Sequence, residues 1–281
     1  MHDATPLPRL AADRYVQPLR EGGSLPAVVE TEGGGLWVVK FRGAGQGVKT
    51  LVAELLVGML AQAAGLPVPE LAIVDVDPAF ARGERDLEIQ ELLRKSHGPN
   101  VGLRYLDGAF NFEPAAAGEF VDPALAARVV WFDAFVTNPD RTHRNPNLLV
   151  WQRRPWLIDH GAALYAHHDW ASVNDARARA GFPLVRQHVL LAIAGDIAEA
   201  DAQMTAMLTP DVVHAMLARI PDELLAGPLA SGDFAAADEA RARYASYLAT
   251  RLESPRTFAS DAAGAREQAM REPPRRLSAR R

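Results

Sequence analysis

Residues Asn138 to Gly161 read NPDRTHRNPNLLVWQRRPWLIDHG. The first half of this stretch is rich in Asn, Asp and Pro, a composition that ends a helix and favours turns closed by side-chain to backbone hydrogen bonds. Its second half places a polar turn between two short apolar runs, which predicts a β-hairpin. The hairpin ends at Asp159, so we expect Asp140, Asn145 and Asp159 to come together at one site.

These three side chains form the set that phosphoryl transfer needs. The reaction uses one carboxylate near the attacking hydroxyl, and an Asn with a second Asp to hold Mg²⁺ against nucleotide phosphates. The alternative is an Asx-rich turn that caps a buried hairpin and has no chemical role. Any one of these residues alone fits that alternative, whereas the ordered set of three favours the chemical interpretation.

Composition and charge limit the classes of protein that fit this chain. Its 281 residues, 48% of them hydrophobic and 23% charged, can form a sizeable core in one large or two coupled domains. The absence of cysteine excludes disulfides and thiolate metal sites. A net charge of -5 disfavours nucleic acid as the main partner. No apolar run has the length of a signal peptide or a membrane span, so we expect a soluble cytoplasmic protein.

The first part of the chain predicts three strands followed by a helix. The strands are predicted at residues 14–19, 26–30 and 36–41, with glycine-rich turns between them. Leucine and methionine at helical spacing over residues 51–60 predict the helix, which ends at Gly65. Lys40 falls on the third strand and Glu54 on the first half of the helix.

Two further strands are predicted at residues 67–77 and 86–93, the second with alternating polar and apolar residues. The stretch 96–107, rich in Gly, Asn and Pro, is then predicted to link two lobes. On this interpretation residues 1–95 form an N-terminal lobe and residues 96–253 a C-terminal lobe.

The C-terminal lobe is predicted to open with a buried helix. Asp122 is suited to cap its N-terminus and Pro123 to occupy its first position. Apolar residues then follow at helical spacing, namely Leu125, Val129, Phe132 and Val136. We expect Asp133 on this helix to be a hydrogen-bonding scaffold residue.

The remainder of the lobe is predicted to be helical at residues 186–198, 209–219 and 233–252. Residues 254–281 carry arginines and prolines and show no apolar face, so they are predicted to be a disordered basic tail. A solvated tail without function is favoured over a docking segment for an acidic partner.

The order of these features resembles the HipA-like kinase family, and more distantly the phosphatidylinositol kinases. The resemblance lies in Asp140, an Asn five residues later, a hairpin, and then the sequence Ile-Asp-His-Gly that ends at Gly161. It covers roughly residues 14–225, by the order and spacing of elements rather than by local identity. It implies an α+β, bilobal, protein-kinase-like fold with a small antiparallel-β N-terminal lobe and a mainly helical C-terminal lobe.

The resemblance also implies an activity and a role for particular residues. The activity is ATP- and Mg²⁺-dependent transfer of the γ-phosphate to a hydroxyl, with a protein Ser or Thr favoured over a small molecule. Asp140 would be the catalytic base, and Asn145 and Asp159 the metal ligands. The nucleotide would contact a glycine turn, the lysine on the third strand, the glutamate on the helix, and the backbone at the end of the 86–93 strand. These residues are Gly22, Gly23, Ser24, Lys40, Glu54, Glu91 and Leu92.

The chain also departs from the family pattern beside Asp140. In the protein that gives the family its name, a His follows the catalytic Asp by two positions, whereas here Thr142 stands there and His143 comes one later. We therefore assign no role to His143. Arg141 instead resembles the lipid-kinase form of the loop, which leaves the acceptor open. Family members silence themselves by phosphorylating a Ser of the glycine loop, which would be Ser24 here.

Two other functions are compatible with the sequence. One is a metal-dependent phosphohydrolase, whose metal would be held by a His and Asp cluster. Its candidate ligands are His143, His160, His167, His168 and Asp169. The other is a kinase-like binding module without activity. A P-loop ATPase is set aside, because the loop at residues 43–47 lacks the Gly-Lys-[Ser/Thr] ending.

Overall fold

The structure, a computed structural model, describes residues 6–19, 25–45 and 47–271. It is a mixed α/β fold in which a sheet-rich N-terminal region precedes a mainly helical region. The first region contains the strands β1 (Arg9–Pro18), β2 (Ala27–Thr31), β3 (Leu36–Lys40), β4 (Leu71–Val76) and β5 (Gly98–Arg104). They close into a barrel in the order β1-β2-β3-β5-β4, in which β1 pairs with β4 in parallel and the other pairs are antiparallel.

The interior of the barrel is filled by alternate side chains of its strands. Val29, Trp37, Val39, Ala72 and Val74 are buried in one cluster, as the period of two along a strand requires. The three strands predicted at 14–19, 26–30 and 36–41 are confirmed, and β1 begins earlier than predicted. Strand β3, which ends at Lys40, therefore lies next to β5 in the barrel.

The helices of the described residues range from single turns to more than four turns. They are α1 (Gly47–Ala63), α2 (Leu87–Lys95), α3 (Ala117–Phe120), α4 (Pro123–Phe135), α5 (Asp175–Ala178), α6 (Ile197–Met207), α7 (Pro210–Ala218), α8 (Asp222–Leu225), α9 (Ala237–Leu252) and α10 (Thr257–Arg271). Within the described residues, no helix is long and apolar enough to span a membrane.

Helix α1 is buried along most of its length. It packs against β4 and β5 of the barrel and against α7 and α8 of the helical region. Its residues from Leu51 to Ala61 are all buried, which is the pattern of a helix that is apolar on every side. Gly65, at φ +68°, ends the helix in the left-handed conformation that a helix C-terminus favours. Glu54 is thus a carboxylate inside the core that joins the two regions.

Helix α4 begins as predicted and carries the chain into the Asn138–Gly161 stretch. Asp122 caps it by accepting the N–H of Leu125 at 2.8 Å. The hairpin that follows consists of β7 (Leu148–Trp151) and β8 (Arg154–Leu157), and β6 (Phe110–Asn111) pairs with its first strand. The predicted hairpin is confirmed, and the chain reaches Asp159 two residues after β8.

The strand predicted at residues 86–93 is wrong, because this segment forms α2. Asp86 accepts the N–H groups of Glu88 and Ile89 and so caps a helix. Leu92 is buried in the barrel core, whereas Glu91 is exposed and forms an ion pair with Lys95 one turn later. The adenine contacts predicted for Glu91 and Leu92 require a strand at this position, so the helix removes the basis for them.

The predicted lobe linker at residues 96–107 is wrong over most of its length. Residues 98–104 form β5, which lies between β3 and β4 in the barrel. The buried side chain of Asn100 explains why a sequence rich in Gly, Pro and Asn forms a strand here. Its Oδ1 accepts the N–H of Arg42 at 2.8 Å, and its Nδ2 donates to the carbonyls of Ser96 and Gly98. The sheet-rich region therefore extends to Arg104, beyond the boundary predicted at residue 95.

The helix predicted at residues 186–198 is replaced by two short 3-10 turns, at Pro183–Gln187 and Leu191–Ile193. Between them His188 has an extended backbone and forms an antiparallel bridge with Thr142. This tertiary pairing prevents a continuous helix. The other two helices are confirmed: α7 is capped by Thr209 as predicted, and α9 begins four residues after the predicted start at 233.

The prediction of a disordered tail from residue 254 is wrong for residues 257–271, which form α10. Phe258 in this helix is 2% exposed and packs against the rings of Trp131 and Phe135. Several alanines of α10 also pack on the main core. Small apolar residues therefore provide the face that the composition hid. Residues 272–281 lie outside the described residues.

Candidate active site

Lys40 is held between two carboxylates from different parts of the fold. Its Nζ lies 2.7 Å from Glu54 Oε2 on α1 and 2.6 Å from Asp159 Oδ1 after β8. The side chains of Lys40 and Glu54 are 7% and 0% exposed, whereas that of Asp159 is 42% exposed. The predicted pairing of Lys40 with Glu54 is present, and the pair opens to the surface on the Asp159 side.

Lys40 and Asp159 stabilise each other's ionised form. Burial alone would lower the pKa of Lys40, but the adjacent carboxylates of Glu54 and Asp159 outweigh it and raise that pKa. Burial would likewise raise the pKa of Asp159, and the ammonium of Lys40 outweighs it and lowers that pKa. Lys40 and Asp159 are therefore both ionised at neutral pH.

The backbone around Asp159 is fixed against α1. Asp159 has a φ of +56°, in the left-handed region that Asp tolerates better than most residues. The next residue, His160, donates its N–H to Glu54 Oε2 at 2.8 Å. A Cβ on Gly161 would overlap the Cγ2 of Thr50 on α1, so only glycine allows this close approach. The turn after β8 and helix α1 thus fix each other's position.

Asp140 is oriented by amide groups of its own loop. Its Oδ2 accepts the Nδ2 of Asn145 at 2.8 Å and the Nδ2 of Asn147 at 3.0 Å. Its backbone N–H donates to the Oδ1 of Asn138 at 3.1 Å. Asp140 is half-buried and Asn145 is exposed. The carboxylate is therefore held in one orientation near the surface.

Asn147 connects this loop to the strand that leads to Asp159. Its carbonyl accepts the N–H of Ile158 at 3.1 Å and a guanidinium N–H of Arg141. The same Arg141 nitrogen also lies 3.4 Å from the carbonyl of Ile158. Asp140 and Asp159 are thus joined through a single hydrogen-bonded unit.

A buried polar cluster lies beneath the loop and is centred on Asp133 of α4. Asp133 accepts Arg141 Nε at 2.6 Å and His188 Nε2 at 2.9 Å through Oδ2, and Asn138 Nδ2 at 2.9 Å through Oδ1. Burial alone would raise the pKa of Asp133, but Arg141 and His188 hold it well below its usual range. The predicted scaffold role of Asp133 is confirmed by these contacts.

His188 has a defined tautomer in this cluster. Its Nε2 donates to Asp133, and its Nδ1 accepts the N–H of Leu190 at 3.1 Å. Burial is the main cause that lowers the pKa of His188; Asp133 opposes it, while Arg141 and His143 add to it. A neutral imidazole therefore joins the 183–191 segment to the loop that carries Asp140.

The arrangement of a buried lysine, its glutamate partner and two separate aspartates is that of a phosphotransferase site. The HipA-like kinase family model matches residues 13–225 of the sequence, which is most of the chain. The chain belongs to the HipA-like kinase family. A solved structure with a similar fold is the crystal structure of a Helicobacter pylori proinflammatory kinase, CtkA. It gives a TM-score of 0.52 at 10% identity, over 95% of this chain and 100% of that one. No curated protein matches this HipA-like kinase in sequence.

The structure of this HipA-like kinase gives no support to the phosphohydrolase alternative. His160 and His167 are buried, and burial lowers the pKa of each to about 3. His143, His168 and Asp169 are exposed. Over the residues that the structure describes, no group of three or more His, Cys, Asp or Glu side chains could hold a metal ion.

The structure brings some of the predicted site residues of this HipA-like kinase into contact and does not describe others. Lys40, Glu54 and Asp159 are in direct contact, and Asp140 is bonded to Asn145. Gly22, Gly23 and Ser24 lie outside the described residues. Two further residues contact the site without a role predicted from the sequence. Asn147 has a signal in its place in the same Asx-rich loop, whereas His188 has no local signal.

Proposed function

We propose that this HipA-like kinase is a bilobal, protein-kinase-like enzyme that uses ATP and Mg²⁺ to phosphorylate a Ser or Thr hydroxyl of a protein. The observation that carries the proposal is the position of Lys40. A buried ammonium is held by Glu54 from within the core and by Asp159 at the more exposed side. Such a lysine is positioned to hold the α- and β-phosphates of a nucleotide.

The residues around Asp159 fit a magnesium ion. Mg²⁺ prefers oxygen ligands from carboxylates, amides and phosphates. Asn145 uses its Nδ2 to bind Asp140, so its Oδ1 points away from that carboxylate. The side chain of Asp159 is 42% exposed. Asn145 and Asp159 would hold the ion, which neutralises charge on the phosphates when bound.

Asp140 is suited to receive the acceptor hydroxyl. The amide groups of Asn145 and Asn147 both bind its Oδ2, which leaves Oδ1 to accept a proton from an incoming hydroxyl. The acceptor oxygen would bond to the γ-phosphorus as the bond to the β,γ-bridging oxygen breaks. The hydroxyl proton goes to Asp140, and ADP leaves.

The glycine-rich segment with Gly22, Gly23 and Ser24, which lies outside the described residues, would complete the proposed nucleotide site. Glycine lets backbone N–H groups approach phosphates closely. Ser24 would then lie near the γ-phosphate and would be the site of self-phosphorylation, where a dianion repels the nucleotide. Phosphopeptide mapping after incubation with ATP should find phosphate on Ser24.

The test is nucleotide binding together with phosphate transfer. Mg²⁺-ATP should raise the melting temperature, and ATP without Mg²⁺ should raise it much less, because a ligand of the native state stabilises by mass action. Lys40→Ala should weaken the shift, whereas Lys95→Ala, at an exposed lysine, should leave it intact. Labelled γ-phosphate should appear on the chain itself or on a protein of a cell lysate. The absence of any shift at millimolar ATP would refute the nucleotide site.

A further inference from the structure

The next inference rests on the proposed function and concerns the acceptor. The segment of residues 183–191 is fixed beside the catalytic aspartate. His188 pairs with Thr142 in an antiparallel bridge, and Val189 donates its N–H to the carbonyl of Arg141 at 3.0 Å. Both contacts lie one or two residues after Asp140. The segment therefore lies directly beside the loop that carries Asp140.

Two arginines lie close to this bridge in sequence, each two residues from one of the bridged residues. Arg144 follows Thr142, and Arg186 precedes His188. Both side chains are exposed, as is His143 beside Arg144. His143 is close enough to His188 for its charge to affect that imidazole.

Within the described part of the chain, no carboxylate pairs with Arg144 or Arg186. The only hydrogen bond of the Arg186 side chain there goes to the carbonyl of Pro183, at 3.1 Å. The arginines at 141, 177 and 179, in contrast, each form an ion pair with an aspartate. Arg144 and Arg186 are therefore exposed cations near the catalytic loop that can bind an anionic partner.

We propose that the acceptor is a protein segment with Asp or Glu residues close to the phosphorylated hydroxyl, bound by Arg144 and Arg186. A guanidinium binds a carboxylate through two parallel hydrogen bonds, which also fixes orientation. Arg144 lies four residues after Asp140, and Arg186 lies on the segment that is bridged to the same loop. Leu184, 46% exposed in the same turn as Arg186, offers an apolar contact to the same segment.

A protein segment fits this surface better than an anionic membrane does. Recognition of anionic lipid uses clusters of about 4–8 basic residues. The cluster here has two arginines and one histidine, and the chain as a whole is negative. A short acidic stretch of a protein matches a cluster of that size.

The experiment compares three synthetic peptides of equal length, each with one Ser, flanked by Glu, by Gln or by Arg. We expect kcat/KM to follow the order Glu, Gln, Arg, with about a three- to tenfold advantage of Glu over Gln that decreases with added salt, as exposed ion pairs require. The double substitution Arg144→Glu and Arg186→Glu should reverse the order. The matched control, Arg153→Glu in the hairpin turn with Arg154→Glu at the start of β8, should keep it.

The possible results separate this inference from the proposed function. Equal kcat/KM for the three peptides would overturn the inference and leave the kinase proposal intact. Phosphorylation of phosphatidylinositol vesicles but of no peptide, or ADP formation without any labelled peptide, would overturn it as well. If Mg²⁺-ATP causes no thermal shift and no phosphate is transferred, the proposed function fails and the inference fails with it.

Discussion

Glu54 and His160 are joined by a hydrogen bond of 2.8 Å from the backbone N–H of His160 to Glu54 Oε2. The same oxygen accepts the ammonium of Lys40. One buried carboxylate therefore sets the positions of the strand lysine and of the backbone that follows Asp159. Displacing α1 would disturb both at once, so the proposed phosphate-binding and metal-binding sides of the site depend on one contact.

Gly161→Ala tests this dependence. The new Cβ would overlap Thr50, so α1 or the turn must move. We expect a loss of about 1–3 kcal/mol in the free energy of unfolding, as for overpacked cores, and a higher ATP concentration for the half-maximal thermal shift. Gly264→Ala is the control, because its Cβ would meet open space in α10. That variant should gain about 0.5–1 kcal/mol. Similar behaviour of the two variants in urea denaturation would contradict the close approach.

Substitutions of the two aspartates should separate their roles. Asp140→Asn keeps shape and leaves the metal ligands in place, so ATP should bind nearly normally while transfer falls by about 10²–10⁴-fold. Asp159→Asn removes a charged ligand from a cation that prefers carboxylate oxygen, so Mg²⁺-dependent ATP binding should weaken together with transfer. ATP affinity with and without Mg²⁺, measured beside phosphate incorporation, distinguishes the two. Equal losses of ATP binding in the two variants would mean that the roles of Asp140 and Asp159 are wrongly assigned. Full phosphate transfer by both variants would refute the kinase mechanism.

His188→Ala should act through position. It removes a buried donor to Asp133 and a link to the 183–191 segment. An unsatisfied buried group costs about 1–3 kcal/mol of stability, and a small displacement of Asp140 should lower kcat by about tenfold or more. The thermal shift by Mg²⁺-ATP should remain. His188→Gln supplies a donor at a similar distance and should restore part of kcat. His214→Gln on the exposed face of α7 is the control, and a kcat for His188→Ala equal to that of the control would refute the positioning role.

The stability of the protein should decrease in mild acid because of buried histidines. His167 contacts Tyr244 and His168, and Lys49 and Asp233 lie nearby. Burial lowers the pKa of His167 to about 3, with His168 and Lys49 adding to the effect. Below about pH 6.5 the unfolded chain binds a proton that the folded chain does not.

The free energy of unfolding should therefore fall with pH, by up to about 1.4 kcal/mol per pH unit for this residue, from about pH 6.5 toward pH 3. His167→Gln should reduce the slope between pH 6 and pH 5, where the carboxylates with lowered pKa values do not yet titrate. Urea denaturation at several pH values measures the slope. Identical slopes for the unsubstituted protein and His167→Gln would show that folding does not lower the pKa of His167.

Phe258→Ala tests whether the C-terminal helix is part of the core. The ring contacts Trp131 and Phe135 and is 2% exposed, so its removal should cost about 3–5 kcal/mol. Met270→Ala, at a residue 64% exposed in the same helix, should have little effect. Both can be measured by thermal or chemical denaturation. A Phe258→Ala protein as stable as the control would mean that α10 does not pack as described.

The parts of the site that sequence predicted are those with local signals. The Asx-rich loop, the hairpin and Asp159 follow one another within a short stretch, and turn chemistry and strand alternation are local properties. Lys40 and Glu54 were placed by the order of one strand and one helix. Their contact then followed from the expected fold.

The features that the sequence did not predict depend on contacts between distant segments. The 86–93 segment has apolar residues compatible with periods of both two and 3.6, and the cap at Asp86 together with burial of Leu92 favours the helix. His188 gains its role only through pairing with Thr142. The face of α10 consists mostly of alanines around Phe258, a weak hydrophobic signal that only the surrounding core reveals.

The parallel pairing of β1 with β4 has a consequence for how other chains can associate with this kinase. Because the pairing closes the barrel, each of its strands has a neighbour on both sides. Over most of the barrel an extended peptide therefore finds no row of open backbone N–H and C=O groups to which it could add as a further strand. The exception is β1 beyond Ala11, where the pairing with β4 ends. Within the described residues, the outer strands of the other sheet are β6, which is two residues long, and β8 of the hairpin next to the active site. Among these residues, a partner or inhibitor that binds by strand addition would bind at one of these three edges.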